Sequence, residues 1–435
     1  MSTLARYFQF DELKTNHRTE FIAGLTTFVS MAYILFVNPS VLGAAGMDKG
    51  AVFTATGVAA AVATIFMGLV ARYPIAIAPG LGVNAFFAYS VVIGMKVPWQ
   101  TAMAGVLVAA LIFLVLTFFK VREAIINLIP QDLKVAIASG IGLFIAFIGL
   151  ADAGLIVAND ATMVSLGHLS SGTSLLSIFG IIVTLILISR RVPAAIFIGM
   201  ILTAIVGILT GLIDLPSSIV STVPSLAPTF GESIKHIGDI NSFQLATVVL
   251  TFLIVTFFDT AGTMIGLATQ AGFMKDGEMP RAGKALMADA VGMTVGAVIG
   301  TSPTSAYVES SAGIAVGGRS GMTSVWTGIL FLLALFFSPL LGVVTSQVTA
   351  PALIVVGILM AENLRHIKWD DFAIAAPAFL IVIGMPLTYS ISDGIALGFI
   401  VYPITMLATK RGKSVHPMMW ALAIIFLVYL FIVAH

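Results

Sequence analysis

The chain has 435 residues, of which 59% are hydrophobic and only 9% are charged, and its mean hydropathy is +1.08. No water-exposed globular surface tolerates this composition, so the sequence predicts an all-α protein that crosses a membrane many times. The net charge of +1 provides no basic surface for nucleic acid, and the absence of cysteine excludes disulfides and thiolate metal sites. Residues 1–20 carry charges of both signs and lack the apolar core of a signal peptide, so they are expected to form a cytoplasmic segment.

Apolar runs long enough to cross the hydrocarbon core, about 17 to 25 residues each, follow one another along the chain. Two shorter helices, at 81–94 and 309–318, interrupt this series. A final run at 418–434 either crosses the membrane or lies in its plane, so fourteen or fifteen helices are expected. The long runs begin near residues 21, 51, 101, 133, 175, 194, 243, 285, 322, 347, 371 and 394.

The distribution of basic residues predicts the orientation of these helices. With a cytoplasmic N-terminus and one crossing per run, only Lys49, Lys96 and Lys235 of the 21 lysines and arginines fall outside. Cytoplasmic loops normally carry this excess of positive charge. The chain is therefore expected to be a multi-pass protein of the plasma membrane with its N-terminus in the cytoplasm.

An acidic, proline-containing stretch at 214–241 is expected to be an extracellular linker between two related halves, 21–213 and 242–435. Seven apolar elements precede this linker. Because seven is odd, the second half begins on the opposite face of the membrane and should run inverted. The third element of each half is the abnormal one, and matched interruptions in inverted halves indicate the binding site of a transporter.

Each interrupted element combines an extended stretch with a short helix. The first runs extended over 73–79 and becomes helical at about Gly80, and the second runs extended over 302–308 and becomes helical at about Glu309. Because the halves are inverted, the two half-helix N-termini should face each other at mid-membrane, where free N–H groups can bind a ligand. The extended pieces could pair as a short sheet, since lipid cannot satisfy their backbone polar groups.

Two carboxylates, Asp259 and Glu309, lie inside apolar runs, and no Lys or Arg falls inside any predicted span. A carboxylate at mid-membrane costs roughly 2.5 to 3.5 kcal/mol on insertion scales and generally marks a substrate or ion pathway. Without a counter-charge such a group can bind and release protons near neutral pH. Asp289 and Asp393 are interpreted instead as interfacial or capping residues.

The expected lining of the site adds the amide of Asn84 and the hydroxyls of Thr263 and Ser310, with Phe86, Phe258 and Tyr307 as aromatic neighbours. These groups suit a flat, uncharged solute that has both N–H donors and lone-pair acceptors. The lack of a cation argues against sulfate, phosphate or a carboxylate as the solute. No H-E-x-x-H, G-x-S-x-G or nucleotide-binding pattern occurs, so the residues predict a proton-coupled carrier and not an enzyme.

Four long motifs resemble the AzgA-like adenine, guanine and hypoxanthine permeases of the nucleobase–ascorbate transporter superfamily. They are TEFIAGLTTFVSMAYILFVNPSVL at 19–42, APGLGVNAFFAY at 78–89, FFDTAGTMIG at 257–266 and TSPTSAYVESSAGIAVGGRSGMTSV at 301–325. The resemblance implies about fourteen helices in two inverted seven-helix repeats, with strand-plus-half-helix elements in helices three and ten. It also implies purine import by proton symport, with a proton as coupling ion and no other cofactor or metal, and it favours a homodimer.

The same resemblance implies an elevator-type mechanism of alternating access, in which a core domain slides against a gate domain. The core would comprise about 21–119 and 242–342, and the gate about 133–213 and 347–435. Carriers of uracil, xanthine or a small anion share this fold and remain the alternative. Two acids at the paired half-helices argue against the anion.

Carried over residue by residue, the family pattern assigns substrate contacts in helices three, eight and ten. Asp259 is similar to the acid of helix eight and Glu309 to that of helix ten, while Asn84 is similar to the polar contact of helix three. Val308 would offer its backbone, and Ala85 stands where uracil and xanthine carriers have a stacking Phe. Since the xanthine carriers have Gln at the position of Glu309, the coupling proton is assigned to Asp259 and base recognition to Glu309.

Overall fold

The computed structural model describes residues 3–119, 129–216, 218–240, 243–274 and 279–433. Within these ranges it does not describe the side chains of 243, 244, 258, 259, 261, 262, 265, 269, 270, 432 and 433. The helices of the first half are α1 Thr3–Tyr7, α2 His17–Met31, α3 Ile34–Ala44, α4 Lys49–Phe66, α5 Leu81–Ala85, α6 Trp99–Phe118, α7 Gln131–Asp152, α8 Gly172–Ser189 and α9 Ala195–Leu209. Two of them continue as π-helix, α4 through Met67–Ala71 and α5 through Phe86–Gly94.

Helix α10 Glu232–Lys235 lies in the 214–241 stretch, and the second half is again mostly helical. Its helices are α11 Phe243–Gln270, α12 Ala282–Ile299, α13 Ser310–Ala315, α14 Gly321–Ala334, α15 Ser346–Ala361, α16 Phe372–Thr388, α17 Ile391–Ala408 and α18 Pro417–Val433. In the described ranges nine helical segments are long and apolar enough to cross a membrane, and five further apolar helices are shorter. The chain is therefore a multi-pass membrane protein.

Two small antiparallel sheets accompany the helices. Strands β1 Ile77–Pro79 and β4 Thr304–Ala306 pair with each other across the two halves, and β2 Ile156–Asn159 forms a hairpin with β3 Met163–Leu166. The β1–β4 sheet is fully buried, whereas the hairpin is largely exposed.

The densest helix packing falls into two groups. In one group α14 packs on α2 and α4, and α12 packs on α4 and α6; in the other α7 packs on α15 and α16, and α16 packs on α17. Glycine allows the closest approaches. A Cβ on Gly142 would lie 3.1 Å from the carbonyl oxygen of Gly357, and a Cβ on Gly357 would lie 2.5 Å from that of Gly142. Close contact of this kind between small residues is a usual way for membrane helices to associate.

Buried or bidentate carboxylates fix two helix starts. Glu20, which is fully buried, accepts hydrogen bonds from the backbone N–H groups of Arg319, Ser320 and Thr323, so a side chain of α2 caps the first turn of α14. Asp371 caps α16 and receives two hydrogen bonds from Arg411, at 2.6 and 2.7 Å. These hydrogen bonds hold the pKa of the Asp371 carboxyl below its usual value.

Two predicted boundaries need correction. The first span begins at His17, before residue 21, and it is interrupted at Ala32 and Tyr33 between α2 and α3. The predicted helix 309–318 is shorter, because Gly317 has φ +109°, a left-handed conformation that ends a helix. The final run is a helix, Pro417–Val433, and whether it crosses the membrane stays a prediction.

Candidate functional site

The two interrupted elements meet at the β1–β4 sheet. Ala78 lies opposite Ser305, and the ladder continues where the Gly80 N–H donates to the Pro303 carbonyl at 2.9 Å. Helix α5 begins directly after β1, and α13 begins four residues after β4. Because the strands are antiparallel, the two helices leave the sheet in opposite directions. The structure therefore places both half-helix N-termini at one sheet.

Side chains form hydrogen bonds with the backbone N–H and carbonyl groups of the extended segments beside this sheet. The Thr64 hydroxyl of α4 accepts from the Ile77 N–H at 2.9 Å and donates to the Ile77 carbonyl at 2.8 Å. The Ser310 hydroxyl accepts from the Ala76 N–H at 2.9 Å, and the Tyr307 N–H donates to the Ala76 carbonyl at 3.0 Å. Ser310, a predicted substrate contact, thus holds the backbone of the opposite arm. This pairing meets the requirement for buried irregular backbone at membrane depth.

Asn84 is fully buried on α5 and belongs to a polar network centred on Asn38 of α3. The Asn84 amide donates to Asn38 Oδ1 at 2.9 Å, and Ser302 donates to the same oxygen at 3.2 Å. Asn38 in turn donates to the hydroxyls of Thr56 and Thr301, at 2.7 and 2.8 Å. In the described part of the chain Asn84 Oδ1 has no partner, so it can accept a hydrogen bond from a ligand.

Glu309 immediately precedes α13 and is partly exposed, and its neighbour Val308 is 61% exposed. The hydroxyl of Tyr33, at the junction of α2 and α3, donates to Glu309 Oε1 at 2.5 Å. No Lys or Arg of the described ranges forms an ion pair with Glu309. This carboxylate therefore stands at a helix N-terminus beside an exposed residue, with a phenol as its partner.

A guanidinium holds the opposite end of α13. Arg319 Nη1 donates to the carbonyls of Ile314 and Gly318, at 2.6 and 2.8 Å. A cation favours the negative end of a helix, and its hydrogen bonds satisfy carbonyls that the helix leaves free. Both ends of this six-residue helix are thus held.

Helix α11 carries Asp259 and Thr263 and packs against β4, α13 and α5, so it lies beside both arms. The side chain of Asp259, like that of Phe258, falls outside the described residues. Thr263 is partly exposed, one turn further along the helix. Thr256 and Thr260 are fully buried, and neither hydroxyl has a partner within the described ranges.

Small and aromatic residues complete the surroundings of Asn84. Ala85 is 2% exposed, and no aromatic ring stands at its position. The Phe86 ring makes an edge contact with Phe252 of α11, with centroids 4.9 Å apart, so it packs α5 against α11. Phe86 thus serves the contact between the helices and does not line an open site.

Asp289 differs from its interpretation as an interfacial residue. It is 1% exposed on α12, and the Thr304 hydroxyl of β4 donates to its Oδ1 at 3.1 Å. Helix α12 turns this carboxylate toward the sheet. Tyr33 and Asn38 were absent from the sequence prediction, and the only signal for them was a polar group within an apolar run.

The arrangement offers acceptors and donors on both sides of the sheet: the Glu309 carboxylate, the Asn84 amide and the N-termini of two half-helices. In the described part of the chain there is no cluster of three or more His, Asp or Glu that could hold a metal ion. The polar groups match a small neutral solute with both donors and acceptors.

A solved structure and several relatives resemble the chain. The transmembrane domain of a cyanobacterial bicarbonate transporter, BicA, superposes with a TM-score of 0.61 at 13% identity, covering 88% of this chain and 97% of that one. Guanine/hypoxanthine permease PbuG of Bacillus subtilis is 57% identical over 97% of this chain and 98% of its own. Adenine permease AdeP of Escherichia coli is 44% identical, with 99% and 97% covered.

The structural likeness shows a shared transporter fold, and the sequence relatives are named permeases and not enzymes. The model of the Permease family, Xan_ur_permease, matches residues 18–397. The chain therefore belongs to this permease family, among the guanine/hypoxanthine and adenine permeases that the sequence motifs resemble.

Proposed function

We propose that this permease imports purine nucleobases, namely adenine, guanine and hypoxanthine, into the cell by proton symport. The observation that carries the proposal is the pairing of two half-helix N-termini with an unpaired Asn84 Oδ1 on one arm and the Glu309 carboxylate on the other. A purine base is flat and uncharged and presents N–H donors beside ring-nitrogen acceptors, so it matches these groups. The names of the relatives point to the same substrates.

In this proposal Glu309 accepts from a purine N–H, and the Asn84 amide contacts the opposite edge of the base. The backbone near Val308 and the N–H groups at the start of α5 provide donors for ring nitrogens. Ala85 leaves room for a two-ring base where a Phe would fill the space. Ser310 and Thr263 complete the polar lining.

Asp259 is proposed as the carrier of the coupling proton, with Glu309 as the recognition acid. Thr263 cannot titrate, so proton transfer depends on the carboxyls. No other cofactor takes part. The plasma membrane is the proposed location, and the distribution of Lys and Arg supports a cytoplasmic N-terminus.

Alternating access is proposed to occur by sliding of a core domain, about 21–119 and 242–342, against a gate domain, about 133–213 and 347–435, linked through 214–241. Among the described residues, hydrogen bonds join them in the half proposed to be extracellular: Tyr89 to Asp152 at 3.5 Å, Ser90 to the Tyr389 carbonyl at 3.2 Å and Ser392 to Thr251 at 3.0 Å. In the other half α13 packs mainly on α2, and Val308 is exposed. These contacts support a state that is closed outside and open to the cytoplasm.

Uptake measurements test the proposed function. Radiolabelled adenine, guanine, hypoxanthine, xanthine and uracil are offered to cells that lack their own carriers, with and without a protonophore. We expect uptake of the first three bases and its loss with the protonophore. Preferred uptake of uracil or xanthine would refute the purine assignment, and protonophore-insensitive accumulation would refute proton symport.

The variant Asp259→Asn separates coupling from binding. It should lose accumulation driven by a proton gradient while keeping some exchange of labelled for unlabelled base. Asp393→Asn is the matched control, since Asp393 lies on α17, away from the two arms. Gradient-driven accumulation by Asp259→Asn would contradict the proton assignment. A homodimer belongs to the same proposal and is testable by light scattering of the purified protein.

A further inference from the structure

Tyr33 brings a residue of the first membrane span into contact with the site. It lies between α2 and α3, where the helix is interrupted, and only 1% of it is exposed. Its hydroxyl reaches Glu309, 276 positions away in the sequence, with an O–O distance of 2.5 Å. A contact of this length lies at the short end of the range for O–H···O hydrogen bonds.

Glu309 needs such a donor because a carboxylate in a membrane is costly without a partner. In the described ranges no Lys or Arg pairs with it, so its charge is not balanced by a cation there. A phenol supplies one strong hydrogen bond without neutralising the carboxylate. Glu309 can therefore keep its negative charge available for a neutral ligand that brings its own N–H donor.

The bond also fixes the direction of the carboxylate. Oε1 accepts from the Tyr33 hydroxyl, and the carboxylate also accepts from the backbone N–H of Glu309 itself. A carboxylate held in this way presents its remaining lone pairs in a defined direction, which lowers the entropy lost when a ligand binds. Oε2 belongs to the same arm whose Val308 is exposed.

We propose that Tyr33 is a positioning residue for substrate recognition: it holds Glu309 through Oε1 so that Oε2 receives an N–H group of the purine. This inference rests on the proposed function, since it assigns Glu309 to recognition of the base. Tyr33 acts through Glu309 and is not itself required to contact the substrate. Its role should appear in the affinity for the base and not in the rate of the conformational cycle.

The test is the variant Tyr33→Phe, which removes one oxygen atom and keeps the ring in place. The matched control is Tyr429→Phe. Tyr429 is also fully buried and also donates to a carboxylate, Asp393 Oδ1 at 3.2 Å, but it lies on α18, away from the two arms. Initial rates of [³H]hypoxanthine uptake are measured over a range of concentrations, and each rate is divided by the amount of protein in the membrane.

We expect Tyr33→Phe to raise the KM for hypoxanthine about tenfold, since losing a hydrogen bond to a charged group typically weakens an equilibrium by about this factor. The normalised maximal rate should stay within about twofold of wild type, and Tyr429→Phe should leave KM unchanged. A KM within twofold of wild type in Tyr33→Phe overturns the inference. An equal rise in both variants also overturns it, because the effect would then be a general one on the fold.

If Tyr33→Phe does not reach the membrane, the affinity of the detergent-purified variant for [³H]hypoxanthine is measured instead. An affinity within twofold of wild type then overturns the inference. The experiment distinguishes failure of the proposed function from failure of this inference. If wild-type protein neither takes up nor binds hypoxanthine, the proposed function is refuted. If wild-type protein takes up hypoxanthine and Tyr33→Phe has an unchanged affinity, only the positioning role of Tyr33 is refuted.

Discussion

Asn38 offers the sharpest test of how the first helical span organises the site. Its side chain is fully buried and makes four hydrogen bonds, to Asn84, Ser302, Thr56 and Thr301. The variant Asn38→Ala removes all four and leaves a space the size of an amide group. Stability and substrate affinity should both fall, because the same network supports the fold and holds Asn84.

The loss of stability in Asn38→Ala depends on which partners of Asn38 keep other hydrogen bonds. The Thr56 hydroxyl still donates to the Val52 carbonyl at 2.7 Å, so it remains satisfied. The Asn84 amide nitrogen and the Ser302 hydroxyl lose the partner described above. Each buried group without a partner costs about 1 to 3 kcal/mol, so Asn38→Ala should lose about 2 to 6 kcal/mol of stability. A freely rotating Asn84 should weaken hypoxanthine binding about tenfold.

Thermal unfolding in detergent and [³H]hypoxanthine binding to purified protein measure the two effects. Asn363→Ala is the matched control, since the Asn363 amide donates to the Met360 carbonyl at 3.0 Å away from the arms. Asn38→Ala should unfold several degrees below both wild type and this control. An unfolding temperature and an affinity that match those of the control would refute the reasoning.

Three further variants test other contacts. Gly82→Ala places a Cβ 2.4 Å from Cγ2 of Ile141 on α7, in the proposed gate domain. The maximal uptake rate should therefore fall severalfold, and by a larger factor than the affinity for the base. Glu20→Gln exchanges an acceptor for an NH₂ group at the start of α14, so unfolding should need about 2 to 4 kcal/mol less free energy. Asp371→Asn should destabilise the protein at neutral pH. The pKa of Asp371 is lowered in the fold, so its contribution is present above the ordinary Asp pKa of about 3.9 and is lost as pH falls through the folded value.

Each of these variants has its own measurement. Gly105→Ala is the control for Gly82→Ala in uptake kinetics, because the nearest neighbour of its new Cβ lies 3.7 Å away. Equal maximal rates for the two variants would contradict a role of the contact at Gly82 in the proposed sliding motion. Glu362→Gln, at a side chain 61% exposed, is the control for Glu20→Gln in thermal unfolding, and equal losses would contradict the capping role. For Asp371→Asn, the difference from wild type in unfolding temperature is followed from pH 7 downward. A difference that persists unchanged in acid would contradict the pKa assignment.

The sequence predicts the position of the site because its two arms break ordinary rules for membrane helices. Pro79 and Pro303 interrupt apolar runs, and Glu309 stands in one without a cation. Such features are conspicuous because lipid satisfies neither bare backbone nor charge. The composition and crossing pattern likewise predict a multi-pass transporter, which the family match and the relatives confirm.

The contacts of Tyr33 and Asn38 could not be read from the sequence for a different reason. A tyrosine and an asparagine carry no charge, so neither stands out in an apolar run as a carboxylate does. Their partners lie on other helices, and only the fold brings them together. The contact of Asp289 with Thr304 could not be read from the sequence for the same reason, since only the fold brings the facing strand to this carboxylate.

The β1–β4 ladder has a consequence for the design of chimaeras between related permeases. Because Ala78 is paired with Ser305 and the Gly80 N–H with Pro303, each arm is a template for the other. Transplanting one arm alone from a distant relative would place side chains against the other arm that did not evolve with it. Transplanting both arms together would keep each side chain with its native partner across the ladder, so a chimaera should exchange the two arms, contributed by two halves of the chain, as one unit.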